Sequence, residues 1–291
     1  SIDAMAQHDV VESIDCVELI RPVFDAAKEY KIYNNDILNN KKVSYHENDI
    51  YAFLKFQDKK YDLISSDGKL GSTNKANTTM LSSDYYEVCK KSLTSNGVFI
   101  QWIPITTPFS AFELITKTIK ATFQHVELFY FYPSDVFMVA SEVPLELDYA
   151  FMTSVLLEPD VRADLNQIDF QKSSNILASY IGPYTETIQQ TDQLNTFDQP
   201  LLEFWYLRDW KKSKNYEGGY RAMNMQFLLD NFNKNETAAA TNFSNLPDPR
   251  YAYGMYNTAN QFYQFCVHNF KTGNYQQGKI KYDQYRSSIP F

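Results

Sequence analysis

Glycine is scarce in this sequence, which has nine glycines among 291 residues. Average usage of about 7% would give roughly twenty. Nucleotide-binding α/β domains use glycine where the backbone closely approaches a phosphate or a cofactor, as in the G-x-G-x-x-G loop. No G-x-G triplet occurs anywhere in the chain. The sequence therefore excludes a glycine-rich cofactor loop of that kind within these residues.

Cysteine is also scarce, and its spacing excludes two common uses of it. Cys16, Cys89 and Cys266 are far apart, odd in number and outside any C-x-x-C or Cys/His pattern. This spacing argues against a disulfide framework and against a structural zinc site, and we expect no bound metal. A reducing compartment, the cytoplasm, is the expected location.

Long apolar runs are missing too. No run approaches the roughly 20 residues that a membrane-spanning helix needs, and no signal peptide is recognisable at the N-terminus. We expect no membrane insertion by these residues. The protein would lie at the cytoplasmic face of a membrane if an upstream membrane domain were fused to it.

Positive charge is outnumbered by negative charge. Lys and Arg total 27 against 35 Asp and Glu, which gives a net charge of −8. Nucleic-acid-binding proteins need cations to displace phosphate counterions, so we expect no nucleic-acid partner. Apolar residues make up 44% of the sequence and aromatic residues 16%, which excludes a disordered chain.

The first half of the sequence alternates strand-like and helix-like segments. Short apolar runs predict strands, and apolar residues at helical spacing predict helices. Pro22 fits the first turn of a helix, Asn48 fits an N-cap, and so does Ser82 or Ser83. Asn96-Gly97 predicts a turn. The predicted strands are 13–20, 43–46, 61–66 and 98–103, and the predicted helices are 23–30, 49–56, 84–93 and 109–123.

Two further predicted strands, 126–132 and 136–140, are separated only by Pro133-Ser134-Asp135. This connection is too short for a crossover helix, so the two strands are predicted to form an antiparallel hairpin. Strands that alternate with helices indicate βαβ units and a mostly parallel sheet. The predicted fold is therefore α/β, a Rossmann-like sheet with a reversed edge strand in its C-terminal hairpin, followed by a helical extension.

The second half is organised differently. Residues 145–210 contain helix-like and irregular segments with few strand signals, and 211–219 are polar and resemble a linker. Two helices, 251–268 and 275–285, are predicted around Thr272-Gly273-Asn274, as in a single tetratricopeptide-type unit or an ordinary helical hairpin. The predicted domains are 1–143, 144–215 and 216–291.

Three acidic residues end or follow predicted strands, namely Glu18, Asp49 and Asp67. Ligands of an open parallel sheet bind outside the carboxyl ends of its strands, so we expect these carboxylates to converge at one edge. A carboxylate there can accept hydrogen bonds from ribose hydroxyls or an amino group, hold a cation, or remove a proton. The alternative for each residue is a helix N-cap or a turn, and Asp67-Gly68 is a good turn pair.

Particular segments also follow one another in an informative order. They are 14–19 (IDCVEL), 61–67 (YDLISSD), 85–93 (YYEVCKKSL), 96–104 (NGVFIQWIP) and 194–204 (LNTFDQPLLEF). In this order they resemble the spermidine/spermine synthase (aminopropyltransferase) family, in particular its bacterial branch of longer, fused synthase-like proteins. The last segment resembles that branch's Asn-Thr-Asp-Asp-x-Pro segment. The resemblance covers roughly residues 1–210.

The resemblance implies a class I methyltransferase-type sheet and a transfer reaction. An aminopropyl group would move from decarboxylated S-adenosylmethionine to an amine, with S-adenosylmethionine as the alternative co-substrate and no metal. At the matching positions, Glu18 would bind the ribose hydroxyls and Asp49 would face the adenine. Asp67 would be the catalytic carboxylate that receives the amine's proton, and Gln101 would line the amine pocket.

The sequence also departs from the family's pattern. The first strand and its glycine-rich loop are missing, and Ser1-Ile2-Asp3-Ala4 matches the helix after that loop. Ile20, Gly68-Lys69-Leu70 and Ile50 stand where the family has an acidic partner, a second aspartate and a glycine. Two alternatives follow. Either a preceding segment or a partner chain completes an enzyme that is impaired without it, or the chain is a non-catalytic structural or interaction subunit.

Overall fold

The computed structural model of the chain contains two compact units. The structure describes residues 2–68, 76–168, 170, 172–186, 192–204, 219–248 and 250–288. The first unit combines Ser1–Asp58 with Phe151–Ser173, and the second combines Lys59–Ala150 with Ser174–Phe291. The predicted domain boundaries at residues 143 and 215 stay a prediction.

Strands and helices alternate through the first part of the chain, and helices dominate thereafter. The strands are β1 (Ile14–Glu18), β2 (Val43–Glu47), β3 (Tyr61–Ser66), β4 (Leu93–Pro104), β5 (His125–Phe131), β6 (Asp135–Ser141), β7 (Leu147–Asp148), β8 (Tyr180–Pro183) and β9 (Phe243–Ser244). The helices are α1 (Ile2–Gln7), α2 (Arg21–Glu29), α3 (Ile50–Lys55), α4 (Ser83–Ser92), α5 (Phe109–Thr122), α6 (Tyr149–Leu156), α7 (Pro159–Asn166), α8 (Ser173–Ser179), α9 (Gly219–Lys234), α10 (Ala238–Asn242), α11 (Arg250–Thr272) and α12 (Tyr275–Ser288). Two 3-10 helices are Ile37–Asn39 and Ala76–Leu81.

The first unit contains a two-stranded sheet. β1 and β2 pair in parallel along their whole length. Helix α2 has a proline in its first turn, as predicted, because the fixed φ of proline suits that position. Helix α3 is capped by the Asp49 side chain, which accepts a hydrogen bond from the Ala52 N–H at 2.9 Å. The cap predicted at Asn48 is therefore wrong by one residue.

The second unit is built on a five-stranded sheet with the order β3-β4-β6-β5-β8. β3 and β4 are parallel, and β5 and β6 form the predicted antiparallel hairpin, with a cis peptide bond between Tyr132 and Pro133. The α/β fold class is confirmed. The reversed strand was predicted at the edge of the sheet, whereas the reversed strand β6 lies inside it, between β4 and β5. The edge strand next to β5 is β8, which comes from a segment predicted to contain few strands.

The strands predicted to form one sheet are divided between the two units. Among the described residues, β1 pairs with β2, β3 pairs with β4, and no pairing joins β1 to β3. A doubly wound sheet of order 3-2-1-4-5-6 has its first strand between its second and its fourth. The resemblance implies that β1, β2 and β3 match the second, third and fourth strands of such a sheet, and this correspondence stays a prediction.

The turn predicted at Asn96-Gly97 is instead part of the long strand β4. The pairing of β3 with β4 shifts register between Tyr61 and Leu63, opposite this part of β4. A Cβ on Gly97 would lie 2.8 Å from the Tyr61 carbonyl oxygen and 2.9 Å from the Leu93 Cβ. Glycine is needed here because the neighbouring backbone approaches too closely for a side chain.

Aromatic side chains form the core between the sheet and helices α4 and α5. Phe99 in β4 is fully buried, stacks on Phe123 with ring centroids 5.5 Å apart, and meets Tyr86 edge to face at 5.5 Å. The Ser82 hydroxyl caps α4 by accepting from the Tyr85 N–H, which confirms one of the two predicted caps. Burial of each such ring contributes about 1.5–3 kcal/mol. This packing holds α4 and β4 together.

Helices α11 and α12 form the predicted helical hairpin, and Gly273 between them has φ = +72°. Gly278 in α12 lies directly against the Tyr132 hydroxyl, which leaves no room for a Cβ. A relationship to tetratricopeptide units stays a prediction. The predicted linker at 211–219 lies outside the described residues except for Gly219, where α9 begins.

Several features are absent from the described part of the chain. None of its helices is both long enough and apolar enough to pass through a lipid bilayer. No group of three or more His, Cys, Asp or Glu residues there is arranged to hold a metal ion. The three cysteines are free thiols.

Candidate functional site

In the first unit, the carboxyl ends of β1 and β2 carry the two carboxylates predicted to bind a nucleoside. Glu18 is the last residue of β1, and Asp49 follows the end of β2 by two residues. The Asn48 N–H donates to the Glu18 carbonyl at 3.2 Å, so the two segments leave the sheet side by side. Glu18 and Asp49 therefore lie at the same edge of this sheet.

Both carboxylates also make local hydrogen bonds. Glu18 Oε1 accepts from the Ile20 N–H at 2.8 Å and closes a turn after β1. Asp49 Oδ1 accepts from the Ala52 N–H at the start of α3. The predicted alternative roles are therefore observed, since Glu18 closes a turn and Asp49 caps a helix. Each carboxylate has a second oxygen that these bonds do not use, so the local role is compatible with a ligand contact.

Sequence reasoning missed two charged residues at this edge, Arg21 and Glu47. Glu47 lies opposite Glu18 in the register of the sheet, and its Oε2 is 3.1 Å from Arg21 Nη1. Both side chains are exposed, so the ion pair contributes about 0–1 kcal/mol to stability. Glu47 could have been identified from the sequence, because parallel pairing of two predicted strands brings their last residues side by side.

In the second unit, Asp67 is exposed and directly follows the last residue of β3. Gly68 is buried, and a Cβ there would lie 3.4 Å from the Cβ of Met80 in the 3-10 helix Ala76–Leu81. The chain after Asp67 therefore starts out against this helix. Lys69, whose charge would disfavour a cationic amine, lies outside the described residues.

Gln101 lies in β4 opposite Ser66 and is fully buried. Its Nε2 donates to the Ser66 carbonyl at 3.3 Å and to the Trp102 carbonyl at 3.0 Å. The Ser66 carbonyl belongs to the peptide group that leads into Asp67, so Gln101 and Asp67 share the carboxyl edge of β3 and β4. Gln101 Oε1 is buried and has no hydrogen-bond partner among the described residues. Because buried acceptors are rarely left unpaired, a ligand N–H can donate at this oxygen.

The titratable groups buried beside this edge are neutral. Tyr85 interacts with Ser66 and Cys89, and burial raises the pKa of Tyr85 well above its usual range. Burial also raises the pKa of the Cys89 thiol to about 12. Neither side chain is therefore a candidate base near neutral pH.

The convergence of all three carboxylates at one edge stays a prediction. Glu18 and Asp49 belong to the first unit, whereas Asp67 and Gln101 belong to the second. The structure brings together the two members of each pair, one pair at the carboxyl edge of β1 and β2 and the other at the carboxyl edge of β3 and β4.

The N-terminal half is similar to a known family in a comparison with protein-family models. Residues 2–138 match the model described as the spermine/spermidine synthase domain. This part of the chain therefore resembles the spermidine synthase family. The four predicted site residues lie inside the spermidine synthase match, and the segment 194–204 lies outside it.

Curated relatives that are similar to part of this chain are named polyamine aminopropyltransferases. The chain is 32% identical to the one from Clostridioides difficile over 103 residues, which are 34% of this chain and 35% of the relative. It is 31% identical to the one from Alkaliphilus metalliredigens over 98 residues, which are 33% of each. The chain thus spans about a third of the length of these relatives.

Solved structures similar to this chain include a spermidine synthase and a methyltransferase-like protein. For the spermidine synthase from Thermotoga maritima, the TM-score is 0.39 at 18% identity, over 47% of this chain and 48% of that one. For human methyltransferase-like protein 13 in complex with SAH, the TM-score is 0.40 at 16% identity, over 63% and 77% of the two chains.

Proposed function

We propose that the protein transfers an aminopropyl group from decarboxylated S-adenosylmethionine to an amine. The match of residues 2–138 to the spermine/spermidine synthase domain and the relatives named polyamine aminopropyltransferases support this activity. In the reaction, the amine nitrogen attacks the aminopropyl carbon bonded to the sulfonium sulfur. The C–N bond forms as the C–S bond breaks, and one proton leaves the nitrogen. The protein has to supply a base and the placement of two reactants.

Asp67 is the base in this proposal. An amine is protonated in water and becomes a nucleophile only when it loses a proton, and a positioned general base contributes about 10²–10⁴ in rate. The Asp67 carboxylate accepts that proton, and its negative charge also attracts the cationic amine. The sulfonium charge already activates the carbon under attack, so the remaining rate enhancement comes from placement.

The single observation that carries the proposal concerns Gln101 Oε1, beside the peptide group that leads into Asp67. Within the described part of the chain this oxygen has no hydrogen-bond partner. A ligand that donates an N–H to this atom removes the free-energy penalty of an unpaired buried acceptor, which is about 1–3 kcal/mol. An ammonium or amine group provides such a donor. Gln101 therefore binds the amine, and Asp67 takes its proton.

Glu18 and Asp49 bind the nucleoside in this proposal. Glu18 accepts hydrogen bonds from the ribose hydroxyls and Asp49 faces the adenine, each through the oxygen that its local bond does not use. A strand and a glycine-rich loop from a preceding segment or a partner chain complete the nucleoside site. We expect calorimetry to detect decarboxylated S-adenosylmethionine binding to the complete gene product and weaker binding to these 291 residues alone.

The Asp67→Asn variant tests the base in the complete gene product. Turnover, measured as release of the methylthioadenosine leaving group, should fall about 10²–10⁴-fold. The midpoint of thermal unfolding should not change, because Asp67 is exposed. Asp62→Asn is the matched control, since Asp62 lies at the other end of β3, is exposed, and accepts from the Thr94 hydroxyl at 3.0 Å. Unchanged turnover in Asp67→Asn rules out the assigned role.

A non-catalytic interaction subunit is the second candidate, and exposed apolar side chains in the first unit favour it. Ile32, Tyr33 and Phe56 are 83%, 82% and 82% exposed. Large apolar side chains at the surface favour binding to another protein, and the C-terminal helical hairpin could serve the same role. Under this candidate the complete protein does not bind decarboxylated S-adenosylmethionine, and Asp67→Asn changes no activity. Both candidates agree with the cytoplasmic location expected from the sequence.

A further inference from the structure

We infer that Asn195 is a positioning residue: it fixes the segment that packs against the chain after Asp67, and so holds that carboxylate in place for proton removal. The inference rests on the proposed function, because only that function makes Asp67 a catalytic residue. Asn195 belongs to the segment 194–204, which the sequence singles out and to which the proposed chemistry gives no role.

The Asn195 side chain bridges two parts of the second unit. It is 1% exposed, and its Nδ2 donates to the carbonyls of Thr78 and Leu81, both at 3.0 Å. Its Oδ1 accepts from the Leu202 N–H at 3.2 Å. Both amide hydrogens and the amide oxygen are therefore in use. A buried amide bonded in this way has one favourable orientation, so it specifies the distance between the segments that it joins.

The two carbonyls belong to the 3-10 helix Ala76–Leu81, whose Met80 lies against Gly68. Leu81 is the last residue of this helix, so its carbonyl has no partner within the helix and takes one of the Asn195 donors. The other donor binds the Thr78 carbonyl in the middle of the helix. A Cβ added to Gly68 would lie 3.4 Å from the Met80 Cβ, in ordinary van der Waals contact, so the Gly68 backbone passes close to this helix. Gly68 follows Asp67, so Asn195 supports the helix beside which the chain passes directly after the catalytic carboxylate.

Backbone bonds strengthen the same connection. The Asn195 carbonyl accepts from the Ser83 N–H at 2.8 Å, and the Phe197 N–H donates to Asp84 Oδ2 at 2.8 Å. The Asn195 N–H donates to the Thr118 hydroxyl at 3.2 Å. The segment that carries Asn195 is thus tied to the start of α4 and to α5, and it provides a rigid support for the 3-10 helix.

The Asn195→Ala variant removes both donors and frees the 3-10 helix to shift. A misplacement of about 1 Å can lower an enzymatic rate about 10²-fold, so we expect kcat to fall by about that factor. The KM for the amine should change less, because Gln101 binds the amine from β4. Hydrogen exchange of backbone amides in residues 76–84 should become faster in the same variant.

Asn231→Ala is the matched control. Asn231 is also buried, its Nδ2 donates to the Pro183 carbonyl at 3.0 Å, and its Oδ1 accepts from the Thr185 N–H at 3.3 Å. It therefore makes the same kinds of bond to the end of β8 and to the residues that follow it. We expect both variants to lower the unfolding midpoint, and only Asn195→Ala to lower kcat about 10²-fold. If Asn195→Ala does not fold, Thr118→Val is the substitute variant. It removes the hydroxyl that accepts from the Asn195 N–H, and it should lower kcat and speed exchange in residues 76–84 to a smaller extent.

The outcomes separate this inference from the proposed function. If Asp67→Asn is inactive while Asn195→Ala equals Asn231→Ala in kcat and leaves exchange in residues 76–84 unchanged, the positioning role is overturned and the proposed function stands. If the complete protein has no transferase activity, or Asp67→Asn keeps full turnover, the proposed function fails. The positioning role then fails with it, whatever the exchange data show.

Discussion

At the scale of single residues, buried polar side chains are the most informative feature of this protein. Glu127 in β5 is buried, and its Oε2 accepts from the Tyr180 hydroxyl at 2.6 Å. The Tyr180 oxygen in turn accepts from Asn242 Nδ2 at 2.7 Å. Burial raises the pKa of Glu127, and the Tyr180 bond and the Lys120 charge oppose the rise. Local sequence could not identify this network, because its members are distant along the chain.

The raised pKa of Glu127 predicts a pH dependence of stability. The folded state binds this proton more tightly than the unfolded chain, so the stability it contributes is full below the usual glutamate pKa. That stability is lost as pH rises through the folded pKa. We expect the free energy of unfolding to decrease over this window, and Glu127→Gln to abolish the decrease in denaturant titrations at several pH values. Glu146→Gln, at an exposed position, should behave like the parent, and identical profiles for all three proteins contradict the prediction.

A substitution at Gln101 separates ligand binding from stability. In Gln101→Met, the loss of two donor bonds is offset by removal of the unpaired acceptor, so the free energy of unfolding should change by less than about 1 kcal/mol. A hydrogen bond to a charged group is worth about 1.5–3 kcal/mol, so the KM for the amine should rise about ten- to hundredfold. Gln226→Met on α9 is the control. Steady-state kinetics that show an unchanged KM would remove Gln101 from the amine site.

At the scale of elements, sequence patterns located most strands and helices, and they were less informative about pairing. The β5–β6 hairpin was predictable because a short connection permits one arrangement. The place of β8 depends on its distant partner β5, which no local pattern records. The predicted ends of β1 and β3 also identified Glu18 and Asp67 as residues at a carboxyl edge. The unpaired oxygen of Gln101 and the bonds of Asn195 depend on tertiary packing, so the sequence could mark their segments and could not assign their contacts.

Close approach of α12 to the sheet connection predicts a strong effect at Gly278. A Cβ there overlaps the Tyr132 hydroxyl and lies 2.6 Å from Asn269 Nδ2. Gly278→Ala should therefore lower the free energy of unfolding by about 1–3 kcal/mol, as overpacking does in other cores. Ser287→Ala, at an exposed position of α12, should have little effect. Equal denaturation midpoints for the two variants contradict this packing.

At the scale of the whole chain, the two units differ in how well they are packed. The second unit has stacked and edge-to-face aromatic rings throughout its interior. The first unit buries fewer large side chains among its described residues, and no residue of β1 is fully buried. The apolar residues that it does bury are Ala6, Ile37, Leu54, Leu156 and Val161.

This difference predicts unequal local stability. Amides protected by a packed core exchange only when that core opens, whereas thinly covered strands open locally. We expect the amides of β1 and β2 to exchange faster than those of β4 and β6 in hydrogen-exchange mass spectrometry of this chain. Equal protection of both sheets in the chain alone would show that the first unit is as stable as the second.

Gln101 Oε1, which has no hydrogen-bond partner among the described residues, affects which amines can bind beside it. A quaternary trimethylammonium carries the same charge as a primary ammonium, yet it has no hydrogen to offer an acceptor. If the proposed function holds, such a compound leaves the oxygen desolvated and unsatisfied, at about 1–3 kcal/mol. The site would then favour amines that carry an N–H over equally charged amines that carry none, and permethylated analogues would be weak competitive inhibitors.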